Sequence, residues 1–165
     1  MDTFMAKTLG IIAFVLFIVL PVMLIVVGQL GLLSGTRPND LGLKNGLLKP
    51  PVLASWNVVS SHADKQPHTD YHVIAPLTYS GDGKAAFAKL EAIVRGMDGA
   101  TVITRQPNYL YAEFQTKLLK FTDDVEFVLD EPAGVIHMRS ASRLGSKDFG
   151  TNRKRLEAIR AKFNG

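Results

Sequence analysis

The stretch FTDDVEFVLDEPAGVIHMRSASR, residues 121–143, decides the fold. Two runs rich in β-branched and aromatic residues flank Pro132-Ala133-Gly134, which is the pattern of a hairpin. With Asp130 opposite Val135, Phe127 falls opposite Met138 on one face, and Glu126 falls opposite Arg139 on the other. The apolar pair marks the core side. The ionic pair marks the outer side, where an opposite-charge cross-strand pair contributes about 0.2–1 kcal/mol. Both faces agree with this one register, which also sets Asp123 opposite Ser142, beside Arg143.

Upstream of the hairpin, ATVITRQ (100–106) and NYLYAEFQT (108–116) flank a turn at Pro107-Asn108 and predict two more strands. Leu110, Ala112 and Phe114 share one face, and Tyr109, Tyr111, Glu113 and Gln115 share the other. SGDGKAAFAKLEAIVRGMDG (80–99) reads as a helix capped by Asp82 and stopped by Gly96 and Gly99. Its apolar stripe is Ala86, Phe87, Leu90, Ile93, Val94 and Met97. YHVIAPLTY (71–79) reads as a strand ending near Pro76. A last helix is predicted from about Thr151 to Phe163, with Asn152, Leu156, Ile159 and Phe163 facing inward. The order strand, helix, four antiparallel strands, helix gives an α+β domain: a small antiparallel sheet covered on one face by two helices.

The amino-terminal part is of another kind. LGIIAFVLFIVLPVMLIVV (9–27) contains no charge, and the apolar run continues to Leu33 with Gln29 as its one polar interruption. About 20 apolar residues cross a bilayer as a helix, and Pro21 is tolerated in such a helix. A cleaved signal peptide would have a shorter apolar region and a small-x-small site, which Leu32-Leu33-Ser34-Gly35 does not supply. The reading is an uncleaved transmembrane anchor over 1–34, a linker and docked loop over 35–70, and a soluble α+β domain over 71–165. Gly31 and Gly35 form a G-x-x-x-G at the membrane edge, a weak helix-packing signal. In the loop, Trp56, Val58 and Val59 are expected to dock on the domain. The cations near the ends of the span (Lys7 before; Arg37, Lys44 and Lys49 after, with Asp2 and Asp40 opposing) do not fix the orientation.

Chemistry-bearing groups concentrate near the C-terminus. From Arg139 to Lys162 there are eight cations and two anions, a local charge of +6 in a chain whose net charge is +4. Arg153, Lys154 and Arg155 fall in the first turn of a helix, where positive charge opposes the helix dipole. Something negative should compensate. An internal clamp would draw on Asp148, Asp123 or Asp124; an external anion would sit on the helix N-terminus with Arg143 or Arg153. The candidate constellation is Arg143, Asp148, Asn152, Arg153, Asp123 and Asp124.

Other chemistries find less support. Adjacent Asp123 and Asp124 point to opposite faces of a strand and make a poor acid–base pair, which leaves a hydrolase as a distant alternative. His62, His68, Asp70 and His72 carry metal-ligating groups, but Pro67 and the extended context after Tyr71 disfavour the helical spacing that His68 and His72 would need. They read as loop histidines, and His137 reads as a surface or partly covered residue. Ser140 and Ser142 lack a nucleophile elbow. No dinucleotide, phosphate-loop or zinc motif occurs, so no cofactor is expected. The basic patch belongs to no nucleic-acid module, and no cysteine is available for thiol or disulfide chemistry.

NVVSS (57–61), HVIAPLTY (72–79), YLYAEFQTKLLKFTDDVEFVLD (109–130) and VIHMRSASRLGSKDFGTNRKRLEAIR (135–160) together resemble the domain of unknown function 1499 family. The resemblance implies a bacterial or plastid-type protein, exported or membrane-attached, and supplies no activity. Family members often read P-C-P-x-S-P-N-C-V-S-S where this chain has Pro51 to Ser61, so Val52 and Val58 stand at the two cysteine positions. Their joint replacement resembles a structural disulfide exchanged for apolar packing. The resemblance to exported relatives places the domain in the periplasm, on a bacterial inner membrane. The resulting expectation is a single-pass membrane protein acting as a non-enzymatic accessory or interaction subunit. Its partners would be the bilayer and other membrane subunits, with an anionic ligand or lipid head group as the alternative.

Overall fold

The computed structural model describes residues 3–165; Asp2, counted above for orientation, lies outside them. The chain is α+β, and its sheet is built around the hairpin of β5 (Thr122–Asp130) and β6 (Val135–Ser142). Their register is the one expected: Asp130 pairs with Val135, Phe127 with Met138, Glu126 with Arg139 and Asp123 with Ser142. β4 (Tyr109–Gln115) lies on the other side of β5, and β3 (Ala100–Arg105) beyond it, all antiparallel.

One face of this sheet is apolar because the pleat sends Leu110, Ala112, Phe114, Val125, Phe127, Leu129, Ile136 and Met138 to the same side. Two helices cover it. α3 (Gly83–Arg95) buries Phe87, Leu90 and Val94, and its N-cap Asp82 accepts a hydrogen bond from the Lys84 amide. α4 (Thr151–Asn164) buries Asn152, Leu156, Ile159 and Phe163, the four positions read from the sequence.

Two edges differ from expectation. β1 (Val58–Ser60), placed by the sequence in the loop, is a strand that pairs with β6 through Val58–Ala141, Val59–Ser140 and Ser60–Arg139. The stretch 71–79 is mostly not a strand. Asp70–His72 forms a 3-10 turn, and only β2 (Leu77–Thr78) pairs with β6. Here guanidinium groups from α4 replace a strand partner. Arg153 donates to the Tyr71 and Val73 carbonyls, and Arg160 donates to those of Ala75 and Pro76. Pro76 has no N–H to offer a ladder.

The outer face of the sheet is covered too, by the segment between the apolar helix and β1. Leu48 is buried there; its amide donates to His62 Nδ1 (3.1 Å), and its carbonyl accepts from Gln66 (2.9 Å). The Gly42 amide donates to Glu126 (2.6 Å), and Arg139 donates to the Lys49 carbonyl (3.1 Å). Of the loop residues expected to dock, Val58 and Val59 are buried, whereas Trp56 stacks one side on Tyr71 (ring centroids 5.5 Å apart) and leaves the rest exposed.

At the amino terminus, α1 (Thr3–Phe14), a π turn (Val15–Val19) and α2 (Leu20–Gln29) run on as one continuous helix. The π turn immediately precedes Pro21, whose missing N–H removes a rung of the helical ladder. The 27-residue helix Thr3–Gln29 has a mean hydropathy of 3.2 over its most apolar window and buries none of that window against the domain. Its length and composition suit a membrane anchor and a signal sequence alike. Gly31 and Gly35 lie beyond its end, so their spacing is not a helical packing stripe. Gly28 is the packing glycine instead: a Cβ there would lie 2.7 Å from the Leu119 carbonyl oxygen.

If residues 36–52 form part of the folded unit, Leu48→Ala should cost about 2–5 kcal/mol, as at a core leucine. Equilibrium denaturation would measure this; a cost under about 0.5 kcal/mol, the range of surface substitutions, would mean that the segment is only laid on the surface.

Candidate functional site

Alternation along β5 and β6 divides the charged residues between the two faces. On the outer face, Glu126 is fully buried and Arg139 nearly so. Arg139 Nη1 donates to Glu126 Oε2 (3.1 Å), while Oε1 accepts from the Tyr109 hydroxyl (2.9 Å) and the Gly42 amide. The sequence placed this pair on the outer side of the hairpin, without the cover that the linker supplies. Its burial beneath the linker makes it a different object, because a lone buried charge is costly.

Next along the same face, Arg143 lies across Asp124, donating from Nε to Oδ2 (3.0 Å) and from Nη2 to Oδ1 (2.7 Å). Arg143 Nη2 also donates to Glu113, which Arg37 of the linker binds from the other side (2.5 Å). The Tyr111 hydroxyl donates to Asp124 Oδ1 (2.6 Å). Burial alone would lower the Arg143 pKa, but its bonds to Asp124 and Glu113 outweigh that and raise it. Burial would raise the Glu113 pKa, yet Arg37 and Arg143 hold it below the usual carboxylate value.

The inner face carries a second cluster where α4 begins. Asp123 accepts from Arg155 Nη2 (2.6 Å). Fully buried Asn152 binds four groups: its Oδ1 accepts from Ser140 (2.5 Å) and Arg155 (2.7 Å), and its Nδ2 donates to the Asn57 carbonyl and to Ser142 Oγ, both at 2.9 Å. A third cluster forms at the helix start. Asp148 accepts from the Asn152 amide (2.8 Å), the Gly150 amide (2.9 Å) and the Tyr71 hydroxyl (2.6 Å). Those donors outweigh burial and lower the Asp148 pKa, while burial and the bond to Asp148 push the Tyr71 phenol up to about 12.

The six residues singled out by the sequence therefore fall into separate groups. Asp124 and Arg143 meet on the outer face. Asp123 and Asn152 share Arg155 on the inner face. Asp148 sits at the first turn of α4 and binds the Asn152 amide. Among the described residues Arg153 joins no carboxylate; it clamps the 71–73 backbone. The sequence reading missed Arg155, Glu113, Tyr109, Tyr111 and Arg37. Glu113, Tyr109 and Tyr111 were reachable, since the strand alternation already put them on the Glu126 side, and Arg155 already stood in the first turn of the last helix. Arg37 had no such trace.

The histidines take three fates. His62 and His137 are buried with ring centroids 3.8 Å apart, and His137 Nδ1 lies 3.1 Å from Ser61 Oγ. His72 is fully buried; its Nδ1 accepts from the Thr69 amide, so its Nε2 donates to the Ser55 carbonyl (2.8 Å). His68 remains exposed. Burial, with the neighbouring His137, lowers the His62 pKa from 6.5 to about 4.

A cavity of about 450 Å³ lies between the linker and β6, and its lining includes Lys49, Asp124, Arg139 and Arg143. Val52 and Val58, the two positions at which the resemblance implied a cysteine pair in relatives, line it as well. Val58 is buried, but Val52 is 66% exposed, so the apolar packing expected at both positions is found at Val58 alone.

A family model described as a protein of unknown function (DUF1499) matches residues 50–163. The chain belongs to this family. No curated protein and no solved structure matches it. The DUF1499 segment contains Asp123, Asp124, Glu126, Arg139, Arg143, Asp148, Asn152 and Arg153. Arg37, Gly42 and Lys49 reach into these clusters from outside it.

Two outcomes test the arrangement. Arg139→Met should lower stability by about 3–5 kcal/mol by stranding Glu126, and adding Glu126→Met should recover most of that loss; denaturant midpoints of both variants measure it. Because the folded pKa of His62 lies below its unfolded value, its contribution is complete above pH 6.5 and falls as the pH drops towards 4. The loss is on the order of 3 kcal/mol, and His62→Gln should flatten that part of the stability profile.

Proposed function

We propose that the protein is a single-pass membrane protein whose DUF1499 domain serves as a non-enzymatic accessory or interaction subunit of a membrane complex. The domain would stand on the periplasmic side of a bacterial inner membrane, as the resemblance to exported relatives suggests. One observation carries the non-enzymatic reading. Asp123, Asp124 and Asp148 are each engaged by an arginine, a tyrosine or backbone amides. Among the described residues no buried side-chain nitrogen or oxygen lacks a partner. General acid–base and nucleophilic catalysis need a group free to exchange a proton with substrate. Asp123 and Asp124 point to opposite faces, each against its own arginine, which weighs against a hydrolase built on either. The apolar helix leaves its surface to lipid or to another helix, which favours assembly within a membrane.

Anion or head-group binding is the second reading, and the cavity lined by Lys49, Arg139 and Arg143 favours it. At the start of α4, by contrast, Asp148 already occupies the place an external anion would take.

Purification of the full chain in mild detergent, with mass spectrometry of copurifying chains, tests the first reading. A stoichiometric membrane partner is expected, and a clean monomer would contradict it. For the second, phosphate or anionic lipid should raise the melting temperature of the full chain, and Arg143→Ala should abolish the rise. No response to either ligand would remove the anion reading.

A further inference from the structure

Outside the apolar helix and the two leucines that follow it, the exposed large apolar side chains collect at one end of the domain, with Leu43 as the exception among the described residues. The loop before β1 brings Val52, Leu53 and Trp56 there. The β4–β5 loop brings Leu118 and Phe121, and the junction between β6 and α4 brings Leu144 and Phe149. Backbone hydrogen bonds hold the first and third of these segments together: Trp56 donates to the Ser146 carbonyl (2.6 Å), and Asp148 donates to that of Trp56 (3.2 Å). Phe121, Leu144 and Phe149 line one cavity of about 370 Å³. The opposite end of the hairpin, Glu131 to Gly134, exposes no large apolar side chain.

This is also the end at which the apolar helix arrives. The Gln29 side-chain amide donates to the carbonyls of Lys117 and Leu118 (3.0 and 2.8 Å), and Gly28 touches the Leu119 backbone. Gln29 is the first polar side chain after the apolar run that begins at Leu9. At 1.5 Å per helical residue, the β4–β5 loop therefore sits about one bilayer core away from the start of that run, at its first polar side chain. Phe149 is 90% exposed and holds a left-handed backbone (φ 54°). That conformation is costly for a bulky residue, and it presents the ring outward. Three lysines lie beside the patch: Lys120 adjoins Phe121, Lys147 lines the Phe121–Leu144–Phe149 cavity together with Asp123 and Asp148, and Lys154 shares a neighbouring cavity with Leu118. Lys120, Lys147 and Lys154 have no carboxylate within ion-pair distance among the described residues. Aromatic and leucine side chains flanked by lysines suit the boundary between acyl chains and anionic head groups.

We propose that this end of the domain is a second membrane contact. Trp56, Leu118, Phe121, Leu144 and Phe149 enter the interfacial layer of the bilayer crossed by the helix, and Lys120, Lys147 and Lys154 meet anionic head groups. The domain is thereby held flat on the lipid rather than swinging on a tether. This rests on the helix being an uncleaved anchor.

The chain has no cysteine, so single cysteines can carry a fluorophore at chosen sites. The full chain is reconstituted in nanodiscs of phosphatidylcholine with phosphatidylglycerol, labelled as Met23→Cys, Leu118→Cys, Phe149→Cys or Ala133→Cys. Lipid-borne nitroxide should quench positions 23, 118 and 149 and spare 133. Quenching at 23 with 118 and 149 spared like 133 would overturn the proposal and leave the anchor standing. A chain that is not retained in the disc would overturn both. Replacing phosphatidylglycerol by phosphatidylcholine should reduce quenching at 149; equal quenching in the two lipids would overturn the role given to the lysines.

Discussion

Two carboxylates, Asp124 and Glu126, lie on the outer face of β5 with almost no contact with water. A carboxylate in that position is tolerated only when cations and donors surround it. The next strand supplies the cations, Arg139 and Arg143, and β4 supplies the hydroxyls of Tyr109 and Tyr111. One donor comes from elsewhere: the Gly42 amide completes the shell of Glu126. The linker is thus drawn onto the sheet by the need to satisfy buried charge, and it excludes water from the pairs that hold it.

The same layer reaches the apolar helix. Gly35 packs so closely on Arg143 that a Cβ would lie 2.7 Å from the arginine's own Cβ, and its φ of 67° suits glycine. Arg37, two residues further on, closes on Glu113. A few residues earlier, Gln29 and Gly28 hold the β4–β5 loop. Between the helix and the sheet there is little slack chain, so the direction in which the helix leaves is set by the domain. The inner face follows the same logic on a smaller scale. Arg153, Lys154 and Arg155 oppose the dipole of α4; Asp148 and Asp123 answer them, and Asn152 ties the helix to β1 and β6.

Much of this could be read from the chain because strands and helices leave periodic traces. The pairing of Asp130 with Val135 fixed every later partner of β5 and β6, and the spacing of Leu156, Ile159 and Phe163 gave the buried side of α4. The arginine–carboxylate pairings were open in part. The register put Asp123 near Arg143, yet the pleat gives Arg143 to Asp124 and leaves Asp123 to Arg155. What could not be read was held by contacts without a period. β1 is three residues long and buried on both sides, so it shows no alternation. The linker binds through single amides and carbonyls to side chains as far as 90 residues away. In 71–79 the sequence looks like a strand, but arginines of α4 take the carbonyls that a neighbouring strand would have used.

The central claim is that buried charge locks the linker to the sheet. Hydrogen exchange of the full chain in detergent, read at the amides of Gly42 and Leu48, tests it most directly. Both should exchange as slowly as the β5–β6 ladder, and Glu126→Met with Arg139→Met should release them while the ladder stays protected. Exchange at loop rates in the unaltered protein would contradict the account.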